Sequence, residues 1–212
     1  VVVLHDVFGM TADLRDQADW LAREGFLAVA PDLFSGGKRL PCVIAAIRDL
    51  RSRRGATFAD IDAVRTWLAQ TGRCTAQIGV IGFCLGGGFA VLLASDRGYG
   101  AASVNYGIVP KDAGERLRGA CPIVGSFGAR DRPLRGAAQR LEAALASAGI
   151  AHDVREYPDA GHSFLNAHTV ADVPALFLRL ARMSGAAYHE PSAIDARRRI
   201  VSFFRTHLGP AA

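Results

Sequence analysis

The chain has 212 residues, half of them hydrophobic and 21% charged, a balance that fits one soluble α/β domain and excludes a disordered or low-complexity polypeptide. Its net charge of +5 gathers in arginine runs at 48–55 and 197–199 without interleaved aromatics, the pattern of a solvated face rather than a nucleic-acid site. Four cysteines, at 42, 74, 84 and 121, show no C-x-x-C spacing, which argues against a zinc or thioredoxin motif and suits a reducing cytoplasm, and no apolar run reaches membrane-spanning length.

Residues 1–5 are apolar and β-branched, as a buried parallel strand should be. A helix follows, with Thr11 as N-cap, Leu14, Ala18, Leu21 and Ala22 on its inner stripe, and Gly25 at its end. "FLAVAPDLF" predicts a second strand, stopped by Pro31. The pattern weakens from Ser35 to Gly55, where "CVIAAIRDLRSRR" predicts a short helix, and resumes in "TFADIDAVRTWLAQTG", a helix with Ile61, Val64, Trp67 and Leu68 inward. The second half predicts strand "QIGVIG", a helix over 85–95, strands "AASVNYG" and "CPIVGSFG", helix "RGAAQRLEAALASAG", strand "HDVREYP" and helices over 171–183 and 192–207. Strands alternating with helices of this length require crossover connections, hence a mainly parallel sheet covered on both faces.

In such sheets the ligand site lies beyond the carboxyl ends of the strands. Those ends carry His5-Asp6, Asp32, Cys84, Asn105-Tyr106, Asp131 and His162. "GFCLG" at 82–86 fits the nucleophile-elbow pattern G-x-S-x-G with sulfur in place of oxygen. The flanking glycines are explained by the tight turn, and the sulfur at a helix N-terminus meets unpaired N–H groups that favour its anionic form. The same turn lacks the spacing of a dinucleotide turn and the ending of a P-loop. An inert packed cysteine and a salt-bridge role for Asp131 are the plainer readings of those two residues. The order nucleophile, acid, histidine along Cys84, Asp131 and His162 favours a triad, with Gly161 freeing the backbone beside the imidazole. His152, His168, His189 and His207 read as ordinary surface or hydrogen-bonded histidines.

Taken together, "HDVFGM", "VAPDLF", "GVIGFCLGGG", "ARDRP" and "YPDAGHSF" resemble the dienelactone hydrolase family of α/β-hydrolases over most of the chain. The resemblance implies an α/β-hydrolase fold, with strands preceding residue 1, and a catalytic triad of Cys84, Asp131 and His162. It implies an oxyanion hole from the N–H groups of Val7 and Leu85, and contact of Asp6 with the resting thiol, where the family commonly has the longer glutamate. Family members that hold a substrate carboxylate use an arginine shortly after the catalytic histidine, whereas here the chain reads "GHSFLN" with Asn166 in that neighbourhood. Arg48, Arg51, Arg53 or Arg54 is left to supply such a charge, and Tyr106 and Asn166 are candidate substrate contacts, with Phe8, Phe34, Phe83 and Phe164 either pocket wall or ordinary core.

These readings converge on hydrolysis of a small-molecule ester or lactone by cysteine acyl transfer, with no metal or organic cofactor and neither nucleic acid nor membrane as partner. The alternative is a non-catalytic thiol sensor or binding protein on a hydrolase scaffold.

Overall fold

The computed structural model describes residues 1–75, 77–95, 98–173, 175–176, 178–179 and 187–209. Five strands, β1 (Val2–Leu4), β2 (Gly79–Phe83), β3 (Ala101–Asn105), β4 (Ile123–Gly128) and β5 (His152–Tyr157), form one sheet in sequential order. Every pairing is parallel. The helices with both ends among the described residues include α1 (Ala12–Arg23), α2 (Arg39–Ser52), α3 (Ala56–Gln70), α4 (Leu85–Leu93), α5 (Ala113–Arg116), α6 (Ala137–Ser147) and α7 (Glu190–Leu208).

The period of two along each strand divides the core into two layers. Val2, Leu4, Val80, Val104 and Ile123 face one layer, filled by Ile61 and Leu68 of α3, Phe89 of α4 and Leu141 of α6. Val1, Val3, Ile81, Phe83 and Val124 face the other, filled by Leu14 and Leu21 of α1 and Ile200 and Phe204 of α7. Each large apolar side chain so buried contributes about 1.5–3 kcal/mol relative to exposure. The sheet is thus apolar on both faces, which is why its strands read as continuous hydrophobic runs.

Local expectations hold at several element ends. The Thr11 hydroxyl accepts the Leu14 N–H at 3.2 Å, capping α1, and Gly25 beyond that helix has φ 92°. The strand expected over "FLAVAPDLF" contracts to a single bridge at Val29, which exchanges two backbone hydrogen bonds with Val1 and Val3. Pro31 has no N–H to extend that ladder. Trp67, expected inward on α3, is 56% exposed. It lies about 120° round the helix from Ile61, outside the stripe that Ile61 and Leu68 bury.

Helix α1 is rotated from the expected stripe: Ala22 is exposed, while Asp13 and Gln17 are buried. Gln17 Nε2 donates to the Leu165 carbonyl at 2.8 Å, so the polar groups enter the interior with partners. The helix expected over 171–183 lies in good part outside the described residues. Among the described residues no helix is long and apolar enough to cross a membrane.

Candidate active site

The turn between β2 and α4 holds Cys84 at φ 54°, ψ −111°, a conformation a side-chain-bearing residue adopts only under constraint. The constraint is visible in the glycines two residues to either side. A Cβ on Gly82 would stand 2.0 Å from the Gly86 carbonyl oxygen, and one on Gly86 would stand 2.4 Å from that of Leu4. The turn is pinned by the Cys84 N–H donating to Asn105 O at 3.1 Å. As the first residue of α4, Leu85 has an N–H with no acceptor among the described residues.

The loops after β4 and β5 run together. Ala129 and Arg130 donate their N–H groups to Tyr157 O and Ala160 O at 2.9 and 3.0 Å. A Cβ on Gly128 would meet Ala160 O at 2.5 Å, so the close approach depends on glycine there. Asp131 from the first loop accepts the Nδ1–H of His162 from the second, at 2.6 Å to Oδ2. The backbone relief expected at Gly161 falls instead at Ser163, with φ 61°.

Burial disfavours the charged form of His162, but the hydrogen bond to Asp131, then the hydrogen bond and charge of Cys84, push its pKa up to about 10. His162 is thus hydrogen-bonded to Asp131 on one side and lies in the field of Cys84, with which it lines one cavity.

The loop after β1 carries Asp6, Val7 and Phe8. Asp6 Oδ1 accepts the Phe8 N–H at 2.7 Å, and Oδ2 accepts from His168 Nε2 at 2.8 Å. No hydrogen bond to Cys84 is among those of Asp6 in the described residues. His168, read from sequence as an ordinary surface or hydrogen-bonded histidine, is the hydrogen-bonded partner of Asp6. His5 donates from Nδ1 to Asp6 O at 2.7 Å, and its Nε2 accepts the Leu33 N–H at 3.1 Å. Burial lowers the His5 pKa, which matches that neutral tautomer.

Tyr106 follows β3 at φ 40° and packs its ring edge-on against His162, with centroids 5.3 Å apart. Its hydroxyl donates to Asn166 Oδ1, and Asn166 Nδ2 donates to Asp13. Asp13 also accepts the Ala167 N–H at 2.6 Å. Asn166 is 4% exposed, with both ends of its amide committed to the protein interior. Burial raises the Asp13 pKa, partly offset by those two hydrogen bonds.

Cys84, Asp131, His162, Val7, Leu85 and Tyr106 line one cavity of about 620 Å³. Its apolar wall comes from Ile47 and Leu50 of α2, Ile108, and Leu134, with Arg51, Arg130 and Arg132 adding charge. Arg130 is paired with Asp159 at 2.6 Å. Of the aromatic wall candidates only Tyr106 lines the cavity, whereas Phe34, Phe83 and Phe164 are core. The contribution of α2 has no motif in the sequence. Asp13 and Gln17 did leave a signal, as polar residues spaced four apart beside the apolar stripe of α1.

Residues 1–208 match the dienelactone hydrolase family. The chain is 30% identical over 223 residues to the carboxymethylenebutenolidase of Rhodococcus opacus, covering 98% of this chain and 81% of that one. A crystal structure of a candidate dienelactone hydrolase from Klebsiella pneumoniae superposes with a TM-score of 0.73 at 27% identity, over 96% of this chain and 85% of that one. The dienelactone hydrolase of Anabaena variabilis shares the fold at a TM-score of 0.64 and 18% identity, over 98% and 85% of the two chains. A parallel sheet with a strained elbow after β2, and a family match spanning nearly every residue, lead to one conclusion: the chain is a hydrolase of the dienelactone hydrolase family, with the α/β-hydrolase fold.

Proposed function

We propose that the protein hydrolyses a small ester or lactone by acyl transfer through Cys84. The observation that carries this reading is the line from Cys84 through His162 to Asp131 along one wall of an apolar cavity. The Cys84 thiolate attacks the carbonyl carbon, forming the C–S bond and a tetrahedral oxyanion. The N–H groups of Leu85 and Val7 face that oxygen, each worth roughly 2.7–4 kcal/mol in the transition state. His162, protonated at neutral pH by its pKa of about 10, gives its proton to the leaving oxygen as the acyl C–O bond breaks. The imidazole then takes a proton from water, the hydroxide adds to the thioester, and the C–S bond breaks to release the acid. Asp131 holds the ring with Nδ1–H toward itself, so that Nε2 is the atom that moves protons.

The cavity selects for shape before charge. Ile47, Leu50, Ile108 and Leu134 accept an apolar acyl or alcohol group, and Arg51 and Arg132 are within reach of an anionic substituent. Tyr106 touches the substrate through its ring, and Asn166 acts by holding the Tyr106 hydroxyl. The deciding experiment follows hydrolysis of p-nitrophenyl acetate by the wild type and Cys84→Ala, with far-UV circular dichroism on both. Turnover by the wild type and none by a folded Cys84→Ala is expected. Equal turnover by both would remove Cys84 from the chemistry, and one equivalent of nitrophenol without turnover would mark a thiol that only captures electrophiles.

A further inference from the structure

The donor groups of an oxyanion site work only when fixed before the charge develops, because orienting them during the reaction forfeits their advantage. Leu85 is held by the helix it starts. Val7 lines the cavity from a loop outside any helix or strand, so its N–H can serve as a donor there only if something else holds it. That N–H donates to no group among the described residues, whereas the Asp6 carbonyl before it and the Phe8 N–H after it are both engaged.

Asp6 carries most of those bonds. Its Oδ1 accepts from Phe8 N–H at 2.7 Å, and its carbonyl accepts from Gly9 N–H at 3.3 Å and His5 Nδ1 at 2.7 Å. The Val7 N–H is therefore bracketed by Asp6, whose carbonyl shares its peptide unit and is held by His5 and Gly9, and whose carboxylate holds the Phe8 N–H that follows. Asp6 is in turn tethered from outside the loop, by the 2.8 Å bond from His168 Nε2 to Oδ2. The pair is largely shielded from water, with side-chain exposures of 8% for His168 and 4% for Asp6, and the Phe8 ring stands edge-on to His168 at 5.1 Å.

His168 lies six residues beyond His162, and the segment between is anchored by Asn166 N–H to Ser163 O at 2.9 Å and Ala167 N–H to Asp13 Oδ1 at 2.6 Å. The tether thus joins the loop that carries the proton-transfer residue to the loop that carries an oxyanion donor. A buried histidine–carboxylate pair adds little net stability once desolvation is counted, so what this one chiefly supplies is geometry. We propose that His168 is a positioning residue of the oxyanion site: its bond to Asp6 sets the Val7 N–H relative to Cys84 and His162.

This rests on the acyl-transfer reading above, and the test separates the two. Ester turnover is measured for the wild type, His168→Leu, His168→Gln and Asp6→Asn, with the inhibition constant of a trifluoromethyl ketone that adds to the thiol and places an oxyanion in the same site. His168→Leu is expected to lower kcat by about 10- to 100-fold, up to the loss of a whole donor, with KM within about twofold. Affinity for the ketone should fall by the same factor. Glutamine restores an N–H donor to Asp6 and should recover most of both. Asp6→Asn keeps the acceptor for Phe8 but turns an amide NH₂ toward His168, and should show the same kcat-selective loss. Should His168→Leu fail to fold, Asp6→Asn and His168→Gln carry the comparison. Wild-type kcat and ketone affinity in folded His168→Leu or Asp6→Asn, or a loss confined to KM, would overturn the positioning role alone. Absence of turnover by the wild type would instead overturn the acyl-transfer reading beneath it.

Discussion

Asp131 and His162 are 31 positions apart in the chain and meet at 2.6 Å, carboxylate oxygen to ring nitrogen. The contact exists because parallel neighbours β4 and β5 end at the same edge and their loops share two backbone hydrogen bonds. Asp131→Asn should leave the fold intact and lower kcat on the order of 10³- to 10⁴-fold, because an amide NH₂ in place of a carboxylate oxygen donates to the ring and selects the wrong tautomer. A steady-state assay with p-nitrophenyl acetate reads this directly.

The same pair has a consequence for stability. The folded pKa of His162, about 10, lies above its ordinary value of 6.5, so its contribution is fully present below about pH 6.5. It is lost as pH rises through 10. Urea unfolding should therefore show wild-type stability falling between pH 7 and 10.5 by more than that of His162→Ala, the difference being the histidine's share.

Backbone strain at Cys84 separates two variants that remove the thiol. Glycine accepts φ 54° without a Cβ, alanine does not, and each residue held in such a region costs about 1–3 kcal/mol. Allowing for the greater unfolded-state freedom of glycine, Cys84→Gly should exceed Cys84→Ala in stability by about 1 kcal/mol. Equal unfolding midpoints at equal denaturant slopes would show that the turn is unstrained. Gly82→Ala, which drives a Cβ into the Gly86 carbonyl, should be the most damaging of the three.

Thiol chemistry should be site-selective. Burial pushes the Cys121 thiol up to about 12, leaving it almost wholly protonated at pH 8. Cys84 opens onto the cavity beside His162 and should react with iodoacetamide first, losing esterase activity in step with one alkyl group per chain. Peptide mass spectrometry that found Cys121 labelled ahead of Cys84 would contradict this order.

Asn166 joins Tyr106 to Asp13 in the buried interior, so Asn166→Leu orphans a buried hydroxyl and one oxygen of a buried carboxyl. The expected loss is about 1–3 kcal/mol for each orphaned group, read as a lower melting temperature by several degrees. Tyr106→Phe removes the hydroxyl, leaves the ring against His162, and should cost less.

Arg51 reaches the cavity from α2, a helix whose C-terminal end is held by Asp49 accepting the Thr57 N–H and hydroxyl at 3.1 and 2.9 Å. Arg51→Ala should raise KM for an ester bearing a carboxylate by about 10-fold or more while leaving a neutral acetate within about twofold, since a charged hydrogen bond is worth roughly 1.5–3 kcal/mol. Equal effects on both esters would assign Arg51 a packing role.

What the sequence by itself determined is whatever short-range chemistry encodes. The glycines at 82 and 86 announce a turn too tight for side chains, Thr11 announces the start of α1, and the succession of apolar runs announces a parallel sheet with its chemistry at one edge. These signals are legible because each depends on residues within a few positions of one another. Tertiary structure alone decided the partners of Asp6, found in His168 at 162 positions' remove, and of Asp13, found in Asn166 at 153. It also decided that Trp67 turns outward, that Asn166 looks into the protein, and that α2 supplies a cavity wall. Such pairings follow from where loops cross above the sheet, and a polar residue's spacing carries no record of which distant group will desolvate it. Only the folded chain brings those groups within hydrogen-bonding distance, and that proximity gives each its role.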